Sequence, residues 1–127
     1  MSDQVSGAVC PGHAPIGEPS RWVKRWAHLV EGGGAVLDVA SGAGRHARFF
    51  ASRGHSVTAV DRDAAALASM DAVPGITTFA ADIENGPWPF AAETHFAAIV
   101  VTNYLHRPLF PHLLDALAPA GVLIYET

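Results

Sequence analysis

Residues 35–51 read AVLDVASGAGRHARFFA: an apolar run, a loop bearing two glycines, and a stretch with helical spacing. The run AVLDVA lacks the strict alternation of a half-exposed strand and predicts a strand buried on both faces. Gly42-Ala43-Gly44 then lets a ligand approach bare backbone, and residues 44–53 predict a helix ended by Gly54. A strand, loop and helix in this order present main-chain donors at a helix N-terminus, where anions normally sit. The GxG carries Ala47 where a dinucleotide fingerprint has its third glycine, so taken alone it is a weak signal.

Outward from this unit, strands and helices alternate. SVTAVD (residues 56–61) predicts a second strand, and Asp63 caps a helix through residues 64–73. Pro74-Gly75 turns the chain into a third strand, ITTFAA (residues 76–81). FAAIVVT (residues 96–102) is the fourth and most apolar strand. Pro108 opens a helix over residues 109–117, and GVLIYE (residues 121–126) is the fifth strand. Upstream, residues 1–19 carry prolines and glycines without periodicity and read as a loose arm. Ser20 is an N-cap, and Trp22, Trp26, Leu29 and Val30 form one apolar helix face that packs the two tryptophans on the sheet. Glu31-Gly32-Gly33-Gly34 stops that helix. Apolar strands joined by helices predict an α/β fold, a doubly wound, mostly parallel sheet covered on both faces.

The chain has 127 residues, a formal charge of -4 and 50% hydrophobic residues, which suits one globular domain over residues 20–127. The acidic balance argues against a general nucleic-acid binder. The basic strip RWVKRW (residues 21–26) reads as a solvated helix face. Cys10 is the only cysteine, so no disulfide framework exists, and a cytoplasmic location is expected. The first residues lack the pattern of a signal peptide, and no apolar run approaches the ~20 residues that span a bilayer. The histidines show no metal-ligand spacing, Cys10 and His13 included, so no metal is expected.

In a doubly wound sheet the ligand sits outside the carboxyl ends of the strands, at the point where strand order reverses. Asp38, Asp61, Asp82 and Asn103 with Tyr104 stand at or just past four strand ends. Asp38 would repel a pyrophosphate docked on the helix N-terminus but is no burden beside a cation. No lysine follows the loop, which excludes a nucleoside-triphosphate P-loop. Asp61 stands where an acidic side chain can accept from ribose hydroxyls, and Asp82 can accept from an adenine amino group. Carboxylates around a nucleoside suit S-adenosylmethionine, a sulfonium with an ammonium and no phosphate.

At this point the sequence resembles the class I S-adenosylmethionine-dependent methyltransferases. VLDVASGAGR is similar to their first motif, AVDRD to the second, AADIENGPWPF to the third. AAIVVTNYLHR with LFPHLLDALAPAGVLIYET resembles their fourth strand, helix and fifth strand. The resemblance implies a Rossmann-like fold and methyl transfer to an acceptor, which the acidic charge favours as a small molecule. It further implies that Asp38, the Ala40 backbone, Gly42 and Gly44 line the amino-acid end of the cofactor. Asp61 would hold the ribose, Arg62 flank the adenine, Asp82 and Ile83 meet its edge, and Asn103 lie below the sulfonium. The family often has glycine where Ala40 stands. Its sheet normally continues past the fifth strand, so the domain is expected to be C-terminally incomplete, with its exposed fifth strand prone to self-association.

Simpler roles stand beside these. Asp38 can serve as a loop acceptor or as a partner for Arg45, which is expected to pair with a carboxylate. Asp82 can be a turn residue. Asn103 and Tyr104 share only the first and last letters of an NPPY motif and are read as non-catalytic. His106 is either a base on the acceptor side or a loop residue near the pocket. Two other function classes stay open: a non-catalytic binding fragment or regulatory module, and a nicotinamide-dependent oxidoreductase, the latter opposed by Asp38 and Ala47.

Overall fold

Val36, Leu37 and Val39 are almost wholly removed from solvent, as an uninterrupted apolar run requires, and they form the central strand of the sheet. The computed structural model describes residues 16–127. The arm expected over residues 1–19 therefore lies outside the described residues save for residues 16–19, and Cys10 and His13 lie outside them as well.

Five strands, β1 (Val36–Val39), β2 (Val57–Asp61), β3 (Ile76–Ala80), β4 (Phe96–Thr102) and β5 (Leu117–Glu126), lie side by side in the order β3-β2-β1-β4-β5. Every pairing is parallel. Helix α1 (Arg21–Trp26) precedes β1, α2 (Arg45–Ser52) links β1 to β2, α3 (Ala64–Ala68) links β2 to β3, and α4 (Phe110–Asp115) links β4 to β5. The period of two along a strand divides the core. Val36, Val57, Ala98 and Val100 face α1, α2 and α3 through Val23, Ala27, Phe50 and Leu67. Leu37, Val39, Ile99 and Val101 face the other way, onto Leu109 and Leu113. The predicted doubly wound parallel sheet is what forms. Burying these strands on both faces contributes roughly 1.5–3 kcal/mol per large apolar side chain.

The helices are shorter than the apolar spacing predicts. Ser20 caps α1 through its side chain, which accepts from the Val23 N–H. The helix then tightens into a 3-10 turn over Ala27–Leu29. Three residues per turn rotate the face, so Val23, Ala27 and Val30 are buried while Trp22 and Leu29 stay 43% and 49% exposed. Trp22 thus packs edge-on against Trp26 rather than against the sheet. Asp63 caps α3 as expected, accepting from the Ala65 and Ala66 N–H groups, but regular helix ends at Ala68. Arg107–Leu109 form a 3-10 turn before α4, and β5 begins at Leu117 because the Ala116 carbonyl already accepts from Phe96 N–H. The register then shifts between Phe96 and Ala98. Gly121 sits in that irregularity, where a Cβ would meet the Ala118 carbonyl at 2.8 Å.

The link from β3 to β4 contains no helix; Trp88 and Phe90 pack there against the second core cluster instead. Among the described residues no helix is long and apolar enough to cross a membrane.

Candidate functional site

With β1 flanked by β2 on one side and β4 on the other, successive crossovers leave the centre of the sheet in opposite directions. Their loops part above the carboxyl ends of β1 and β4, which opens a crevice. Four segments reach it: the β1–α2 loop, the end of β2, the residues after β3, and the residues after β4.

The β1–α2 loop bends through three left-handed residues, Ala40 (φ 55), Gly42 (φ 56) and Gly44 (φ 84). Gly44 is needed twice over, since a Cβ there would also run into the Met70 side chain. Ala40 adopts the same region with a side chain, at a cost of about 1–2 kcal/mol. The loop is held from two sides. Asp61 at the end of β2 accepts from Gly42 N–H at 2.8 Å through Oδ2, and Arg48 donates from Nε to the Ala43 carbonyl at 3.0 Å. The Arg48 guanidinium also reaches the Ser69 carbonyl at 3.0 Å, tying the loop to the end of α3.

Ala40, Asp61, Arg62, Ala81, Asp82, Ile83, Glu84 and Tyr104 line one cavity of about 170 Å³. Six residues singled out by sequence therefore converge on one space: Ala40, Asp61, Arg62, Asp82, Ile83 and Tyr104. Gly42 and Gly44 belong to the loop beside it. Asn103 follows β4 in a left-handed conformation (φ 54) and donates its N–H to the Glu126 carbonyl at 2.8 Å.

Each carboxylate has a distinct setting. Asp61 accepts a second main-chain bond, from Asp63 N–H at 2.8 Å to Oδ1. Each of its oxygens keeps a further lone pair for a ligand hydroxyl. Asp82 is exposed; Oδ1 accepts from Glu84 and Asn85 N–H groups and Oδ2 from the Asn85 side chain. These bonds, that of the Asn85 side chain first, hold its pKa below the usual carboxylate value. Asp38 shares the face of Val36, beneath α2, and is 2% exposed. Its Oδ2 accepts from Ala47 N–H at 3.0 Å, so it sits behind the loop, outside the cavity lining. Burial is the main reason its pKa is pushed up to about 7, with the charge of Asp61 adding to it. Arg45 finds no carboxylate among the described residues. It donates to the Glu18 main-chain carbonyl at 3.2 Å, because residues 16–20 run alongside the start of α2.

Sequence reasoning assigned nothing to His46 or Glu84. His46 Nε2 accepts from Ser20 N–H at 3.0 Å, which leaves Nδ1 to donate to Thr102 Oγ1 at 3.3 Å. Burial, then the Arg45 charge, lowers its pKa to about 4. Glu84 accepts from the Tyr104 hydroxyl at 2.8 Å. His106 lies 3.9 Å from the same carboxylate. Both contacts join residues far apart in sequence, and no local pattern announces them.

The family described as "Methyltransferase domain" matches residues 36–121. An S-adenosylmethionine-dependent methyltransferase from Mesorhizobium loti is 25% identical with a TM-score of 0.67, over 80% of this chain and 51% of its own. A glycopeptide N-methyltransferase complexed with S-adenosyl-L-methionine is 23% identical with a TM-score of 0.64, over 95% of this chain and 59% of its own. Coclaurine N-methyltransferase, bound to N-methylheliamine and S-adenosylhomocysteine, is 16% identical with a TM-score of 0.67, over 80% of this chain and 33% of its own. The chain thus spans between a third and three fifths of these solved structures. No curated protein sequence matches it.

Proposed function

The chain belongs to the methyltransferase-domain family, and from that premise we propose that it binds S-adenosylmethionine at the carboxyl edge of its sheet and serves methyl transfer to a small-molecule acceptor. The observation that carries this reading is the convergence of Ala40, Asp61, Arg62, Asp82 and Ile83 on one cavity beside the left-handed loop. The donor set fits a ligand with a ribose and positive charge and without phosphate. Three carboxylates, Asp61, Asp82 and Glu84, line the cavity, the Asp38 carboxyl lies buried behind the loop, and the Gly42 N–H that a phosphate would need is already donated to Asp61.

When bound, the cofactor supplies an activated methyl group on its sulfonium. Asp61 accepts from the ribose while keeping the loop closed through Gly42. Arg62, Asp82 and Ile83, which line the cavity, would hold the adenine. The bend from Ala40 to Gly44 would hold the amino-acid end, and Asn103 would act near the sulfonium. The chain's task is to hold methyl and acceptor in line, a proximity effect. Burial and the bond to Glu84 raise the Tyr104 pKa well above its usual value, so the phenol stays a donor at neutral pH and does not act as the base.

The formal charge of -4 supports a small acceptor over a nucleic acid. The basic strip of α1 is partly engaged, with Lys24 3.5 Å from Glu18 and Arg25 over the Trp26 ring. The lone cysteine supports a cytoplasmic setting. The exposed edge of β5 supports self-association of the isolated chain.

Calorimetric titration with S-adenosylhomocysteine and, separately, NAD tests the cofactor. Saturable binding of the first and none of the second is expected. The reverse order would replace this reading by the nicotinamide one.

A further inference from the structure

Among the strand ends, those of β3 and β4 are not neighbours: β2 and β1 lie between them. Yet Tyr104, just past β4, donates its hydroxyl to Glu84 Oε2, just past β3, at 2.8 Å. The bond therefore bridges the cavity across the carboxyl ends of β2 and β1, with Asp61, Arg62 and Ala40 among its lining residues. It is braced at both ends. The Tyr104 carbonyl accepts from the Tyr125 hydroxyl at 2.7 Å, which fixes that loop to β5. The other Glu84 oxygen lies 3.9 Å from His106 Nδ1. Glu84 itself follows the turn that Asp82 closes through the Glu84 and Asn85 N–H groups. The cavity, about 170 Å³ and partly open to solvent with this bond in place, is smaller than the ~300–1,000 Å³ of usual small-molecule pockets.

We propose that Glu84 and Tyr104 form a latch across the nucleoside pocket, opening to admit the ligand and closing over it, with Glu84 the positioning residue for the Tyr104 ring. The inference rests on the cofactor reading above, because it assigns the latch to that same pocket. Closure rests on the Tyr104–Glu84 hydrogen bond with the longer His106–Glu84 contact beside it, both between side chains of different loops, so it can open while both loops keep their backbone bonds. A carboxylate acceptor makes the bond stronger than a neutral one would. Its chief effect is on how long a bound nucleoside stays.

Stopped-flow mixing of the full chain with S-adenosylhomocysteine separates association from dissociation. Tyr104→Phe keeps the ring and loses the bond; Glu84→Ala loses the acceptor; Glu84→Gln keeps a neutral one. The first two are expected to speed dissociation roughly five- to ten-fold without slowing association, and Glu84→Gln to recover part of the loss. The double variant Glu84→Ala/Tyr104→Phe is expected to dissociate no faster than either single one. Thermal midpoints within a degree or two of wild type would separate this from general loosening. Unchanged dissociation in the single variants, additive effects in the double variant, or slowed association would overturn the latch while leaving the cofactor reading intact. No binding by the wild-type chain would overturn both.

Discussion

Asp61 holds the loop and, by the proposed function, the cofactor as well, since its carboxylate pins Gly42 and Asp63 backbone and still has acceptor capacity to spare. Asp61→Ala therefore removes both the ribose acceptor and a clamp on the loop. Affinity for S-adenosylhomocysteine is expected to fall at least about ten-fold, the scale of one charged hydrogen bond, and calorimetry reads it directly; unaltered affinity would refute the ribose assignment. Asp38 behaves differently because it is buried and its pKa stands at about 7 instead of 3.8. The folded chain holds a proton there that the unfolded chain releases. Stability from Asp38 is thus complete below pH 3.8 and lost as pH rises through 7. His46 has the opposite sign: with its pKa lowered from 6.5 to about 4, the unfolded chain binds the proton first, so stability is complete above pH 6.5 and lost as pH falls toward 4. Between those values the two slopes oppose one another. Asp38→Asn keeps an acceptor for Ala47 N–H and removes the titration. In urea melts it is expected to gain stability relative to wild type as pH rises from 4.5 to 7.5, and a pH-independent difference would show that Asp38 is not the buried acid described.

At the scale of elements, the β1–α2 loop is fixed by what lies under it. Gly44 combines a left-handed φ with contact to Met70, and Met70 is fully buried just after α3. Gly44→Ala must strain the backbone and displace Met70 together, for a loss of about 2–4 kcal/mol. A fall in the urea midpoint would show it; a midpoint equal to wild type would mean that the loop moves away freely. The sequence announced this loop because Gly42 and Gly44 interrupt an apolar strand, and announced α3 because Asp63 is a cap. Ala40 itself carried no such signal, since an alanine in the left-handed region looks like any other alanine, and only the resemblance, in which glycine often stands there, marked the position. The ends of the helices were equally silent. Nothing between Trp26 and Val30 marks the change from α to 3-10 turns, which follows from how Val23, Ala27 and Val30 meet the sheet. That Asp61, Arg62, Asp82 and Ile83 share one cavity was legible because each ends or follows a strand in a parallel sheet. Asp38 was readable by position but not by direction: the period of two turns it under α2, away from the cavity. Glu84 and His46 act through partners that only the folded chain brings near.

For the whole molecule, the two edges of the sheet differ. β3 is five residues long with threonines at 77 and 78, a short, polar edge of the kind that resists pairing. β5 is ten residues long. Its first half is blunted by Pro119 and by the left-handed Ala120, but Val122, Leu123 and Ile124 are, among the described residues, paired with β4 on one side only. Beside them Phe110, Leu114, Leu123 and Tyr125 line a wholly apolar trough, with Leu114 60% exposed. Unpaired backbone next to an apolar surface favours association, and the gain grows with concentration. The 127-residue chain is expected to show a weight-average mass above that of one copy by light scattering, rising with dilution reversed. Leu114→Lys and Leu114→Glu each place a charge in the trough without touching the buried core. Either is expected to return the chain toward one copy while leaving S-adenosylhomocysteine affinity unchanged, because the trough lies outside the cavity lined by Asp61 and Tyr104. A wild-type chain that scatters as a single copy across a hundred-fold range of concentration would show that this edge is already quiet. A loss of ligand affinity in Leu114→Lys would instead mean that edge and pocket are mechanically coupled, through the Tyr125 hydroxyl on the Tyr104 carbonyl.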